Sequence, residues 1–244
     1  MERRWKVLIV TAVAVFMSFL DVTIVNVAFP DLERDFGEAS RADLSWVLNG
    51  YNIVFAALLV PAGRVADRVG RRRMFFIGVW TFLGASVLCG LASSPEMLVA
   101  ARLLQAAGGA ILVPTSLALL LPEFPLESRA TAVAIWGATG AVAAALGPSL
   151  GGVLVDELGW RWVFFVNVPI GLAALVPARG LLRETRLGSG PLPDALGTAL
   201  LIVVVGALAL GIVKGSDWGW DSARVLASLG VAAVLLPILL LRSG

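Results

Sequence analysis

Eight stretches of about 20 predominantly apolar residues make up most of this sequence, and a helix of about 20 such residues can cross a bilayer. Apolar residues are 59% of the 244-residue chain and charged residues 15%, whereas soluble domains contain about 45–50% and about 25%. Because a soluble domain of this size cannot bury the surplus, much of it must face lipid. The sequence therefore predicts an all-α polytopic membrane protein. The predicted spans are residues 7–29, 44–65, 74–92, 97–121, 130–155, 162–182, 195–213 and 223–241.

Composition removes several classes of function. The chain contains no histidine, which excludes histidine-based triads, histidine-ligated metals and histidine proton relays. Its single cysteine, Cys89, cannot form an internal disulfide or a cysteine-cluster metal site. The net charge is only +2, so nothing favours a nucleic-acid partner. We therefore expect no metal, no organic cofactor and no nucleic acid.

The distribution of lysine and arginine predicts the orientation in the membrane. Thirteen of the 19 basic residues lie at one set of span ends, five lie at the other set, and Arg102 lies within a span. Because cytoplasmic loops carry the excess of basic residues, we expect a multi-pass protein of the cell membrane with both termini cytoplasmic.

The longest Gly/Pro-rich connection separates the first six spans from the last two. This composition predicts a six-helix unit at residues 1–182, a cytoplasmic linker at 183–194 and two additional helices at 195–244.

Two ionisable residues, Asp21 and Arg102, lie clearly inside predicted spans, where charges are costly and therefore often functional. With a rise of 1.5 Å per residue, their depths agree within about 4 Å, so the two side chains could pair, or could exchange partners during a functional cycle. The alternatives are a static ion pair and an Arg102 side chain that extends outward to water. Gln105 lies one turn from Arg102 on the same face of its helix.

A carboxyl group in a low-dielectric cavity can bind a proton near neutral pH and release it when a cation approaches. This is the minimum chemistry for coupling transport to a proton gradient, and a cationic ligand could compete for the same carboxylate. Further polar side chains within spans could serve this site or form hydrogen bonds between helices. They are Asn26, Asn49, Tyr51, Asn52 and Asn167.

Five strings in order resemble the major facilitator superfamily, specifically its EmrB/QacA-type fourteen-span drug:proton antiporters. They are LDVTIVNVAFP at residues 20–30, GRVADRVGRRR at 63–73, RLLQAAGGA at 102–110, GATGAVAAALGPSLGG at 137–152 and GWRWVFFVNVPIG at 159–171. One departure is Ala106, which stands where the family motif has glycine after the glutamine.

The resemblance implies a major facilitator six-helix N-terminal bundle and assigns roles to individual residues. In the first string Asn26 joins Asp21, and with Arg102 and Gln105 they form the proton-coupling and substrate site. The resemblance also implies that the C-terminal six-helix half of such transporters is absent from this chain. The second string implies a cytoplasmic gating loop that contacts this absent half in the outward-facing state. The residues of this gating loop are Gly63, Asp67, Arg68, Gly70, Arg71 and Arg72.

The fourth string is similar to the antiporter motif, which implies a seal between the two halves. Its candidate residues are Gly140, Gly147, Pro148, Gly151 and Gly152. Each string also has a plainer interpretation. Arginines in the gating loop can simply orient the chain, its glycines permit a tight reversal with Asp67 near a helix N-terminus, and small residues favour close helix packing. Pro148 predicts a kink.

The function implied by the resemblance is the N-terminal part of a proton-coupled exporter of hydrophobic, often cationic, compounds. Its partners would be protons, a small hydrophobic substrate, the lipid bilayer and either the missing C-terminal half or a second chain. Two alternatives remain: a transporter with another cargo, such as a metabolite, lipid or siderophore, and a truncated subunit that does not transport. We do not expect an enzyme, because the spans lack a nucleophile–base pair or paired aspartates.

Overall fold

The computed structural model describes residues 1–37, 39–186 and 195–243, and within these ranges the chain is helical without strands. The helices follow in chain order, with a single turn of 3₁₀ helix at Leu121–Glu123. They are α1 (Arg3–Asp35), α2 (Arg41–Leu44), α3 (Trp46–Val69), α4 (Arg71–Gly90), α5 (Pro95–Leu120), α6 (Leu126–Leu158), α7 (Trp162–Phe165), α8 (Asn167–Leu181), α9 (Ala195–Trp218) and α10 (Ala223–Ser243).

Eight of the described helical segments are long and apolar enough to cross a membrane, which confirms the predicted number of spans. Several helices extend beyond the apolar stretches, and α1 has 33 residues where the hydropathy predicts a span over 7–29. The helix continues because its backbone hydrogen bonds do not end where the hydrocarbon ends. The short helices α2 and α7 precede α3 and α8 and complete the second and sixth spans.

Charged side chains connect the helices at each end of the bundle. At the Arg3 end, the Arg3 guanidinium donates to the backbone oxygen of Leu181 at 2.8 Å and lies 3.1 Å from the Glu123 carboxylate. At the Asp35 end, the Asp35 carboxylate accepts from Arg161 at 2.9 Å. The start of α1 therefore lies beside the ends of α5 and α8, and its other end lies beside the start of α7.

Helix α1 is the centre of the packing because it contacts α5, α6 and α8, and its side chains are buried around much of its circumference. Helices α4 and α5 approach closely at two glycines. A Cβ atom at Gly108 would lie 2.6 Å from the backbone nitrogen of Phe82, and one at Gly78 would lie 3.2 Å from the backbone oxygen of Gly108. These glycines permit the close contact that brings Gln105 on α5 within hydrogen-bond distance of Ser86 on α4.

The last two helices form a hairpin that contacts the bundle through α9, which packs against α3 and α2. Lys214 on α9 is buried, with its Nζ atom 2.5 Å from the Asp43 carboxylate and 3.3 Å from Asp217. Ser40 accepts a further hydrogen bond from the same ammonium group at 3.2 Å. Most of the predicted linker, residues 187–194, lies outside the described residues.

Candidate functional site

Asp21 and Arg102 form an ion pair in the interior of the bundle. The Nη1 atom of Arg102 lies 2.6 Å from Oδ2 of Asp21, and the two residues are 1% and 0% exposed. Of the interpretations open from the sequence, outward extension of Arg102 to water is wrong, because the guanidinium is held inside the bundle.

Four further groups hold the Arg102 guanidinium. Its Nε atom donates to the backbone oxygen of Val47 at 3.2 Å, and Nη1 donates to Oε1 of Gln105 at 2.7 Å. The guanidinium carbon lies 4.0 Å from the ring centroid of Tyr51 and 5.7 Å from that of Phe164. Stacking against aromatic faces stabilises a desolvated cation by about 2 kcal/mol in favourable cases, so Arg102 is fixed by more than its carboxylate partner.

The second carboxylate oxygen of Asp21 accepts from two side-chain amides. Gln105 donates from Nε2 at 2.8 Å, and Asn167 donates from Nδ2 at 2.9 Å. Both amide nitrogens also donate to Oγ of Ser86, at 3.1 and 3.0 Å, and Ser86 donates to the backbone oxygen of Phe164 at 2.9 Å. Every polar side chain of this cluster is buried.

Five spans contribute to this cluster, and local helical spacing explains how. On α5, Arg102 and Gln105 are three residues apart and therefore share a face. On α3, Val47 and Tyr51 are four residues apart, so the Val47 carbonyl and the Tyr51 ring meet the same guanidinium. Asp21 comes from α1, Ser86 from α4, and Asn167 begins α8 just after Phe164 on α7.

The energetics of the cluster are those of a buried charge pair. Removing one partner of such a pair leaves an uncompensated charge and costs about 3–5 kcal/mol. Here the pair has amide and carbonyl partners around it, which offset part of the cost of removing both charges from water.

The structure separates Asn26 from the other predicted site residues. Its side chain lies on an exposed face of α1, and Nδ2 donates to the backbone oxygen of Val22 on the same helix at 2.8 Å. Asn26 is five residues beyond Asp21, about 140° around the helix, so the two side chains cannot face one site. It has no contact with the Asp21 cluster.

Sequence reasoning missed Ser86, which lies at the centre of the hydrogen-bond network. Serine is common in membrane helices, where its hydroxyl usually bonds to its own backbone, so the residue gave no signal. Cys89, one turn further along α4, is also buried here, with its sulfur 3.6 Å from Oε1 of Gln105. Among the described residues, no group of three histidine, cysteine or acidic side chains could hold a metal.

The predicted gating loop at residues 63–73 is almost entirely helical, and the tight reversal expected there is confined to Gly70. Helix α3 runs to Val69, and Gly70 alone separates it from α4, with a φ of 129° that favours glycine. Gly63 lies within α3, where a Cβ atom would be 3.4 Å from Pro114 on α5. The helix outlasts the apolar stretch, so the turn comes later than hydropathy indicates.

Within this segment, Asp67 and Arg71 are paired across the turn. Arg71 approaches Oδ1 of Asp67 with both Nε and Nη2 at 2.7 Å, and its Nη1 donates to the backbone oxygen of Ala118 at 3.2 Å. Asp67 lies in the last turn of α3 and therefore contacts a side chain of α4 instead of its backbone N–H groups. Arg68 is exposed.

Glu184, from the described part of the linker, caps the start of α4. Its carboxylate accepts from the backbone N–H groups of Arg72 at 3.0 Å and Arg73 at 3.1 Å. The Arg71 N–H donates to the backbone oxygen of Thr185 at 3.1 Å, and the Arg72 guanidinium donates to the backbone oxygen of Arg179 at 2.9 Å. No sequence pattern indicates this cap, because the partners are more than 100 residues apart.

The small residues of α6 divide between two faces. Gly140, Gly147 and Gly151 are buried against α1, where added Cβ atoms would meet Phe19, Thr23 and Ile24 respectively. A Cβ atom at Gly152 would meet nothing within 4 Å. Helix α6 continues through Pro148, which is exposed. Three of the five candidate residues of the antiporter motif therefore serve packing within this chain.

Comparison with known proteins agrees with this architecture. Residues 11–196 match the sequence model of the Major Facilitator Superfamily. The chain is 40% identical over 233 residues to the tetracenomycin C resistance and export protein of Streptomyces glaucescens, covering 95% of this chain and 43% of that protein. It is 37% identical over 231 residues to the multidrug export protein EmrB of Haemophilus influenzae, covering 94% and 45%. The chain thus spans about half the length of the curated relatives it matches.

A solved structure supports the fold. The crystal structure of a peptide transporter POT in complex with sulfate matches with a TM-score of 0.69 at 18% identity, over 95% of this chain and 50% of that one. The EmrB relative confirms the resemblance to EmrB/QacA-type drug efflux transporters. The match to more than half of the chain is decisive for the family: this multi-pass membrane protein belongs to the Major Facilitator Superfamily.

Proposed function

We propose that this chain is the N-terminal part of a proton-coupled secondary transporter that exports small hydrophobic, often cationic, compounds. The observation that carries the proposal is the buried ion pair between Asp21 and Arg102. Its cluster contains a single acid and no nucleophile–base pair, which favours transport over catalysis. The export function of the relatives supports the same conclusion.

The cluster is suited to hold Asp21 in two charge states. When Asp21 binds a proton, its attraction for Arg102 weakens, but the guanidinium keeps the Val47 carbonyl, Gln105 and the Tyr51 ring as partners. The cation therefore need not leave the interior when the carboxylate is neutralised. Because Asp21 touches groups from α5 and α8, its protonation changes contacts between spans and can bias the arrangement of the bundle.

For the chain as a whole, we propose a six-helix transporter half at residues 1–182, a linker at 183–194 and two additional helices at 195–244. The excess of basic residues supports an orientation in the cell membrane that places the Arg3 end of the bundle and both termini on the cytoplasmic side. Substrate in such transporters binds at the interface between two repeats. This half would therefore need a C-terminal half, or a second chain, to complete the site.

The gating loop and the antiporter motif have surfaces that suit contact with such a second half. Arg68 and Pro148 are exposed. Gly152 lies one turn from Pro148 on α6, and an added Cβ atom there would meet none of the described residues within 4 Å. We propose that Arg68 contributes to the gating contact and that Pro148 and Gly152 contribute to the seal. Gly140, Gly147 and Gly151 contribute indirectly, by fixing α6 against α1.

A chimera tests this function. The matched part of the Streptomyces glaucescens tetracenomycin C exporter is replaced by this chain, and the chimera is expressed in a sensitive host. The expected result is resistance to tetracenomycin C that is abolished by Asp21→Asn and by dissipation of the proton gradient. Asp156→Asn, which changes an exposed acid near the end of α6, serves as the control and should keep resistance.

A chimera that reaches the membrane but confers no resistance would contradict export of this class of compound. Full resistance in the Asp21→Asn chimera would contradict the role of Asp21 in coupling. Resistance that persists without a proton gradient would contradict proton coupling itself.

A further inference from the structure

Asn167 has an unusual position in the cluster around Asp21. It is the first residue of α8 and is fully buried, with Nδ2 2.9 Å from Oδ1 of Asp21 and 3.0 Å from Oγ of Ser86. Its own Oδ1 atom is also buried and has no hydrogen-bond partner among the described residues. The amide nitrogen therefore donates two hydrogen bonds, whereas the amide oxygen accepts none from the described residues.

The charge on Asp21 determines whether the nitrogen or the oxygen of the Asn167 amide faces it. A carboxylate can only accept hydrogen bonds, so the amide nitrogen must face it. Ser86 imposes the same direction, because its hydroxyl hydrogen is donated to the backbone oxygen of Phe164 and only its lone pairs remain. The observed orientation of the Asn167 amide is thus the one that matches an ionised Asp21.

A protonated Asp21 would need the opposite orientation. Its new O–H group is a donor and requires an acceptor at this buried position. Oε1 of Gln105 already accepts from Arg102 at 2.7 Å and lies 3.6 Å from the sulfur of Cys89. Oδ1 of Asn167 accepts no hydrogen bond from the described residues, and a half-turn of the amide about its last bond would present it to Asp21. The Ser86 hydroxyl would then donate its hydrogen to the same oxygen instead of to Phe164.

From this arrangement we infer that Asn167 is a positioning residue whose amide serves both charge states of Asp21 and sets the pH at which Asp21 binds its proton. The inference rests on the proposed function, because it assumes that Asp21 exchanges a proton. It also explains why the start of α8 lies inside the bundle: the amide connects the sixth span to the proton-binding residue of the first.

The titratable groups that face Asp21 come from three helices. They are Arg102 on α5, Cys89 on α4 and Tyr51 on α3. On α6 and α8, which also pack against α1, the ionisable residues lie toward the helix ends, such as Glu127, Asp156 and Arg179. Asn167 is thus the contribution of α8 to the proton affinity of Asp21, through hydrogen bonding alone.

Infrared spectroscopy of the 244-residue chain in lipid nanodiscs tests the inference. The carboxylic acid C=O band that disappears in Asp21→Asn reports protonation of Asp21 as pH is varied. Asn167→Leu keeps the number and branching of the side-chain heavy atoms but makes no hydrogen bonds. It should raise the midpoint of this titration by about one pH unit, because the amide's bond to the charged carboxylate is stronger than its bond to the neutral acid. Asn167→Ala, which adds no volume, should shift it in the same direction.

Asn49→Leu is the matched control, since the Asn49 amide donates to Oγ of Ser45, the residue just before α3, at 3.4 Å. This variant should leave the midpoint unchanged. If the Asn167 variants lose thermal stability while the midpoint stays in place, Asn167 is merely structural and the inference is overturned. An equal shift in Asn49→Leu would also overturn it. If the wild-type band never titrates, Asp21 does not exchange a proton, and the proposed coupling fails together with the inference.

Discussion

Asp21 on α1 and Arg102 on α5 form an ion pair at 2.6 Å in the interior of the bundle. Both side chains are buried, and among the described residues neither side chain has another ion-pair partner. Because neither charge reaches water, a change at one residue must alter the energy of the other. This dependence leads to the first prediction.

Asp21→Asn keeps the shape of the side chain but leaves Arg102 as an unpaired buried cation. We expect this substitution to lower the free energy of unfolding by about 3–5 kcal/mol. Adding Arg102→Leu to the same chain should recover part of the loss, since the charge that lacked a partner is removed. Unfolding in mixed detergent micelles measures all four members of the double-mutant cycle. Additive losses would show that the two charges are not coupled.

The second prediction concerns the two faces of α6. Gly147→Ala places a methyl group against Thr23 on α1 and close to the backbone nitrogen of Ile24, so overpacking should destabilise the protein by about 1–3 kcal/mol. Gly152→Ala is the matched control, because it meets nothing within 4 Å and should stabilise the helix by about 0.5–1 kcal/mol. Thermal unfolding of the two variants should shift in opposite directions. Equal shifts would contradict the assignment of these faces.

The third prediction tests the cap on α4. Glu184→Ala removes both acceptors from the first turn of α4, and loss of a cap costs about 0.5–2 kcal/mol. The amides of Arg72 and Arg73 should therefore exchange with solvent about 2- to 30-fold faster, as measured by hydrogen–deuterium exchange. Glu127→Ala, at the first turn of α6, is the control and should leave these two amides unchanged. Unaltered exchange in Glu184→Ala would contradict the cap.

The fourth prediction concerns the attachment of α9. Lys214→Met removes a buried ammonium group from Asp43 and Asp217, and because these carboxylates are partly exposed the loss should be about 1 kcal/mol. Amides near the end of α9 should then exchange about five-fold faster, while those of α1 stay protected. Arg224→Met, whose guanidinium lies over the Trp218 ring at 5.6 Å, is the control for loss of a cation at the same end. Equal effects of the two variants would count against a specific Lys214 contact.

Much of the fold could be predicted from the sequence, because spans of about 20 apolar residues leave few alternatives to helices. The same regularity placed Asp21 and Arg102 at matching depths, since a constant rise per residue converts sequence position into depth. Helix ends were less accurate. The turn at Gly70 comes several residues after the apolar stretch ends, because backbone hydrogen bonding continues into the interface.

The contacts of Ser86 and Glu184 with distant segments could not be predicted. Ser86 and Glu184 are ordinary residues for a membrane helix and an interfacial linker, and only the packing of α4 against α5 and α8 gives them partners. Asn26 is an error of the opposite kind, because it was predicted to belong to the site and the structure places it elsewhere. It was grouped with Asp21 because both lie in one string, whereas the helical turn directs its side chain to a different face.

The central claim is that the proton bound by Asp21 is exchanged for the transported compound. Its most direct test is the number of protons released when the chimeric transporter in lightly buffered detergent binds tetraphenylphosphonium, a hydrophobic cation. Proton exchange at Asp21 predicts about one proton per bound cation for the unaltered chimera and none for Asp21→Asn. Equal proton release from both proteins would contradict it.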